Sequence, residues 1–140
     1  MTLEELYENA VSMPRMKRIE VAGVSGNELL KYMKGRGLDD EASFKFIMYL
    51  VALFAGADGE IDDAEVDLFN YITDAGVSRK DLQEGLQGLF VEEFVASMDD
   101  LIDRMPEDQK GNCCLFGLAF VSADGRISER EKEVFERILA

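Results

Sequence analysis

Phe54-Ala-Gly-Ala-Asp-Gly-Glu-Ile-Asp-Asp-Ala-Glu65 returns 66 residues further on as Phe120-Val-Ser-Ala-Asp-Gly-Arg-Ile-Ser-Glu-Arg-Glu131. Over residues 54–72 and 120–138 the two stretches agree at eight of nineteen positions: Phe, Ala, Asp, Gly, Ile, Glu, Phe and Ile. Self-similarity at a fixed offset means that one supersecondary unit is used twice. The surroundings of each copy say which unit it is. Ile47, Leu50, Val51 and Phe54 follow i, i+3, i+4, i+7 spacing before the first copy, and flanking positions are apolar as well. A helix apolar nearly all round belongs at the centre of a bundle. Leu68, Phe69 and Ile72 after the first copy, and Val134, Phe135 and Ile138 after the second, mark an amphipathic covering helix. Each repeat therefore reads as a buried helix, a tight Asp-Gly turn and a covering helix, and two such hairpins are expected to pack about a pseudo-two-fold relation.

Helix start signals recur along the chain. Thr2-x-x-Glu5, Ser25-x-x-Glu28, Asp62-x-x-Glu65, Ser78-x-x-Asp81 and Ser128-x-x-Glu131 have the form of capping boxes, in which side chain and backbone satisfy each other's orphan groups. Val24 with Leu29, Ile61 with Val66 and Val77 with Leu82 add hydrophobic staples. Pro106 followed by Glu and Asp suits a first helical turn. Gly37, Gly59, Gly76 and Gly125 stand where helices should end in a left-handed residue. The spacing predicts helices near 3–12, 26–35, 41–56, 63–75, 79–88, 91–103, 107–122 and 129–139. Residues 18–24 alternate weakly and read as a short extended connector. The predicted fold is all-α: one compact bundle of about seven to eight helices with the internally duplicated hairpin at about 41–75 and 107–140. Residues 1–38 form an N-terminal helical extension packed on a domain of residues 39–140.

Charge narrows the function classes. The chain of 140 residues carries 15 basic and 29 acidic side chains, a net of −14. Residues 1–38 hold six basic and five acidic groups, a net of +1, so residues 39–140 hold nine and twenty-four, a net of −15. Such a body repels phosphate backbones and anionic lipid heads and attracts cations or basic partners. Nucleic acid is excluded as a partner, with Arg15, Lys17 and Arg18 the one small basic group that speaks for it. Histidine is absent, which removes imidazole zinc ligands, Ser-His-Asp and Cys-His catalysis and imidazole pH switching. Cys113 and Cys114 are adjacent in an apolar run; neighbours on a helix diverge by about 100°, so they read as reduced core residues of a cytoplasmic protein. The acidic N-terminus is unlike a signal peptide. The longest uncharged runs, 46–57 and 111–123, are 12 and 13 residues, too short to span a bilayer.

The acidic turns invite a metal reading. Five carboxylates fall within residues 58–65, and hard cations such as Ca²⁺ or Mg²⁺ are held by clustered oxygens. Against the EF-hand loop, Asp58, Gly59, Ile61 and Glu65 match places five, six, eight and twelve. Places one and three fail in both copies, which carry Phe54 and Gly56, then Phe120 and Ser122. Capping accounts for the same residues without a ligand: Asp58 or Asp124 caps the turn, Ile61 or Ile127 enters the core, and Asp62 or Ser128 is the N-cap whose box Glu65 or Glu131 closes. The candidate metal residues are Asp58, Asp62, Glu65, Asp124 and Glu131. No nucleophile has a partnered base and no phosphate-binding glycine loop occurs, so no enzyme is expected.

Ala57-Asp58-Gly59-x-Ile61-x-x-x-Glu65 and Ala123-Asp124-Gly125-x-Ile127-x-x-x-Glu131, each after a small apolar helix, resemble the tellurite-resistance TerB family and its wider TerB-like superfamily. The resemblance covers about residues 40–140; residues 1–38 have no clear counterpart. It implies an all-helical domain with an internal duplication and a bacterial stress-response role of the tellurite-resistance type. It also implies that Asp58, Glu65, Asp124 and Glu131 are the residues of interest for a divalent cation. TerB-like modules also occur beside co-chaperone domains of the DnaJ type, whose His-Pro-Asp signature a chain without histidine cannot hold. The expected function is an acidic binding or scaffold module whose partners are proteins, basic or membrane-associated, without insertion into a bilayer. The alternatives are a protein-interaction or co-chaperone-associated module with no metal site, and a self-associating structural protein.

Overall fold

A chain with two helices apolar on almost every side must wrap the rest of itself around them, and the computed structural model shows that arrangement. It describes residues 3–55, 61–73, 76–89, 91–122 and 127–139. Eight helices follow in order: α1 (Leu3–Val11), α2 (Arg15–Gly35), α3 (Asp40–Ala55), α4 (Asp63–Thr73), α5 (Arg79–Gln87), α6 (Glu92–Asp103), α7 (Glu107–Val121) and α8 (Glu129–Leu139). Among the described residues there is no strand. The fold is a compact all-α bundle, as the periodicity predicts.

Helix α7 is the axis. Cys113, Cys114 and every residue from Phe116 to Val121 are buried, and the helix packs on α1, α2, α3, α4 and α8. Helix α3 is the second central element; Phe46, Tyr49, Leu50, Val51 and Phe54 are all buried. The two approach each other closely at Gly117, where a Cβ would lie 2.5 Å from the Phe54 ring. Phe54 stacks in turn on Phe135 of α8, with ring centroids 4.6 Å apart. Helix α4 packs on α7 and α2, while α8 packs on both α7 and α3.

The N-terminal segment departs from the sequence reading. Residues 18–24 are not an extended connector: α2 is one helix from Arg15 to Gly35. Its inward stripe is Arg18, Ala22, Ser25, Gly26, Leu29 and Met33. The first four of these are polar or small, so the helical period is invisible to hydrophobicity although it is present in burial. Ser25 consequently caps nothing. It sits mid-helix, with its Oγ donating to Val21 O at 2.6 Å, and Val24 is 60% exposed rather than stapled to Leu29. The extent of α2 follows from its partner, for α2 lies along α7 and Gly26 faces Phe116, whose ring would lie 3.4 Å from a Cβ there. Small residues here let two helices lie close, and that packing overrides weak local propensity.

The helix ends were mostly legible. Gly37 at φ +87° closes α2, with Leu38 N–H donating to Met33 O and Gly37 N–H to Lys34 O, the paired bonds of a Schellman motif. Gly76 also has positive φ, +66°. Ser78 caps α5 by accepting from Asp81 N–H at 3.1 Å. Gly59, Gly125 and the Thr2 box lie outside the described residues.

Cys113 and Cys114 are free and buried, as expected. Burial pushes both thiols up to about 12, and Cys113 Sγ lies 3.7 Å from Met105 Sδ. An unfolded thiol ionises near 8.5, so on raising pH the unfolded chain loses these protons first. The thiols' contribution to stability is therefore intact below about pH 8.5 and lost between there and about pH 12. We expect the urea midpoint to fall from pH 8 to pH 10.5, and neither thiol to react with a maleimide at pH 8 until the protein unfolds. Gly117→Ala should cost about 1–3 kcal/mol by overpacking. Gly23→Ala, where a Cβ meets nothing within 4 Å, should add up to about 1 kcal/mol through helix propensity. Urea denaturation of the two variants checks both signs.

Candidate functional site

Both acidic turns end in a capping box of the predicted form. Before α4, Asp62 Oδ1 accepts from Glu65 N–H at 2.8 Å and Glu65 Oε1 accepts from Asp62 N–H at 3.1 Å. Before α8, Ser128 Oγ accepts from Glu131 N–H at 3.2 Å and Glu131 Oε1 accepts from Ser128 N–H at 2.7 Å. The reciprocal bonds satisfy two of the orphan donors at each helix start, and a carboxylate there complements the helix dipole. Glu65 is 5% exposed and Glu131 6%, so both carboxylates are folded in against the protein.

Of the five candidate metal residues, Asp62, Glu65 and Glu131 are described, whereas Asp58 and Asp124 lie outside the described residues. Each of the three described carboxylates has one oxygen in a capping box. At the first place of an EF-hand-like loop stand Phe54 and Phe120, both core residues, and Ser122 at the third place of the second loop is fully buried. Among the described residues no group of three or more carboxylates or thiols converges in a way that could hold a metal ion. The described donors fit a cap better than the six to eight oxygens of a Ca²⁺ shell.

A side chain from outside the repeat sits beside the second turn. Arg18 is 9% exposed. Its Nη2 donates to Ser122 O at 3.0 Å and to Ala10 O at 3.4 Å, and its Nε donates to Ser122 Oγ at 3.4 Å. Ser122 is the C-cap of α7 and Ala10 lies in the last turn of α1, so one guanidinium serves two helix C-termini, where positive charge is favoured. The group Arg15, Lys17 and Arg18 is thus no continuous basic patch. Arg18 points inward, Lys17 is 3.5 Å from Glu20, and Arg15 lies over the Tyr71 ring at 5.5 Å.

Lys132, one residue past the second box, lies 3.7 Å from Glu129, 3.9 Å from Glu4 and 5.2 Å from the centroid of Tyr7. Burial, then Glu136 and Glu4, push the Tyr7 phenol up to about 12. These contacts pin α1 over the start of α8. On the far side Tyr49 donates to Asp99 at 2.6 Å, with Arg137 3.9 Å from the same carboxylate, tying α6 to the core. Burial and the bond to Asp99 raise the Tyr49 phenol as well.

Sequence reasoning missed one surface feature. A largely apolar trough of about 420 Å³ runs beside α2, lined by Ile19, Gly23, Asn27, Leu30, Phe44 and Tyr71 among others. Its only trace in the sequence is the glycine pair Gly23 and Gly26, which empties one side of a helix.

Compared with protein-family models, curated proteins and solved structures, the chain finds no match.

The boxes predict a graded response. Glu65→Gln and Glu131→Gln retain an acceptor and should cost less than about 1 kcal/mol each, whereas Glu65→Ala and Glu131→Ala strand backbone donors and should cost about 1–3 kcal/mol. Arg18→Met should cost about 2–3 kcal/mol, because charge-assisted bonds at two helix ends disappear together. Chemical denaturation of the five variants measures the series, and equal costs for Gln and Ala would refute the capping assignment.

Proposed function

We propose that the chain is a non-catalytic, acidic protein-binding module of TerB-like, stress-response type, in which the Asp-Gly turns are structural corners of two copies of one helical hairpin. The supporting observation is the state of Glu65 and Glu131. Both are buried and both close a capping box, so the residues that carry the TerB-like resemblance already have work within the fold. What remains for a partner is the other acid of a body whose net charge over residues 39–140 is −15, which steers a basic protein surface towards the molecule. Absence of histidine and burial of both thiols speak against His-assisted and thiolate nucleophiles.

The divalent-cation reading of the turns predicts a different outcome in solution. A ligand at a hundred times its dissociation constant adds about 2.7 kcal/mol of stability. On the proposed reading, calorimetric titration with Ca²⁺ and Mg²⁺ gives no saturable heat, and millimolar cation leaves the melting temperature unmoved; a saturable heat lost in Asp58→Asn with Asp124→Asn would instead make the turns a cation site. The stress-response assignment is tested in bacteria lacking the chain and challenged with tellurite. Survival restored by the wild-type chain supports it, and survival unchanged by deletion removes it.

A further inference from the structure

We infer that α6 is a latched helix that opens from the bundle on its own, and that the Tyr49 hydroxyl of α3, bonded to Asp99, is its latch. The latch does not depend on the function proposed above. Each of the other seven helices packs closely on at least one neighbour, whereas α6 makes only slight contact with any other helix. Of its 12 residues only Ile102 is fully buried, while Phe94, Val95, Met98 and Leu101 are half-buried against the core. The seam on its α8 side is open: Asp99, Ile102 and Asp103 share with Arg137 and Ile138 a cleft of about 180 Å³. Neither end is well closed. Val91 at the N-cap makes no side-chain capping bond, and the last turn carries Asp100 and Asp103 with no base among them, the unfavourable sign for a helix C-terminus. Arg104 beyond it pairs with Asp100 at 3.2 Å. A helix of this length is marginal without packing, and shallow burial with few contacts places a segment at the low end of local stability.

The polar hold on α6 centres on Tyr49, which is fully buried. Its ring meets Phe94 edge-on, with centroids 5.8 Å apart. Its hydroxyl donates to Asp99 Oδ1 at 2.6 Å, and the same oxygen lies 3.9 Å from Arg137 Nη2. Phe94 and Asp99 are five positions apart, so one side chain of α3 grips α6 over more than a turn. Release strands no buried charge, because the Asp99 side chain is 40% exposed and that of Arg137 59%. Opening costs the hydrogen bond and a shallow apolar seat, and both ions gain water rather than lose it. The open state bares the facing sides of α3 and α6, Tyr49 and Phe94 among them. Any ligand that prefers those sides shifts the population towards that state.

Hydrogen exchange of the full chain, followed by NMR in low urea, tests the inference. The α6 amides should exchange at least about 100-fold faster than the α7 amides, and with little dependence on urea, because a local opening exposes little surface. Tyr49→Phe should speed α6 exchange by about tenfold or more, and Asp99→Ala, at the half-exposed side of the same bond, should move it in the same direction. Arg18→Met separates a local from a global opening, for the bonds of Arg18 join α1 to the end of α7. Its loss weakens the closed and the α6-open states alike, so α7 exchange should rise at least about tenfold while α6 exchange stays as it was. Exchange of α6 as slow as that of α7 overturns the independent opening, and so does equal acceleration of both helices by Arg18→Met. An α6 rate that neither Tyr49→Phe nor Asp99→Ala raises overturns the latch.

Discussion

The contact between Gly117 and the Phe54 ring sets the spacing of the whole bundle. Two helices buried on nearly every side can share a core only if one yields volume where they meet, and α7 does so at Gly117. The close approach brings Phe54 onto Phe135, which draws α8 against both central helices. At another face of α7, α2 lies against Phe116 through Gly26, where a Cβ would make an ordinary contact of 3.4 Å. Tight packing of this kind leaves little freedom to shift.

The boundary between what the sequence discloses and what it conceals runs along side-chain type. Helices α3 to α8 announce themselves because their buried faces are built from Phe, Leu, Ile and Val. The boxes at Asp62 and Ser128 are legible because capping needs particular residues at a fixed spacing of three. The first half of α2 is hidden because its buried stripe is Arg18, Ala22, Ser25 and Gly26, none of which registers as core. Arg18 in particular reads as surface charge in isolation. Its burial follows from two helix C-termini, one near residue 10 and the other near residue 122, that only the folded chain brings together. The trough was equally illegible, since a missing side chain at Gly23 leaves no positive signal.

The acidic turns show how one motif can serve two chemistries. A carboxylate at the third position of a helix and an Asp-Gly corner before it are what a hard-cation loop would use, and also what a helix start would use. Among the described residues Glu65 and Glu131 are turned inward and their Oε1 atoms accept backbone N–H bonds, the use that a helix start makes of them. Under the function proposed above, the remaining acid is what steers a basic partner.

Arg18 also bears on the order in which the molecule can assemble. Its bonds to Ser122 span 104 residues of sequence, and α2 lies chiefly on α7. In chain order, α2 is made well before the helix on which it chiefly packs. Contacts of such long sequence separation slow folding, because loop closure must precede the reward. Until α7 is made, α2 lacks its chief packing partner, and the Arg18 bonds to Ser122 cannot form. A truncation before residue 107 would accordingly leave α2 without the helix on which it chiefly packs.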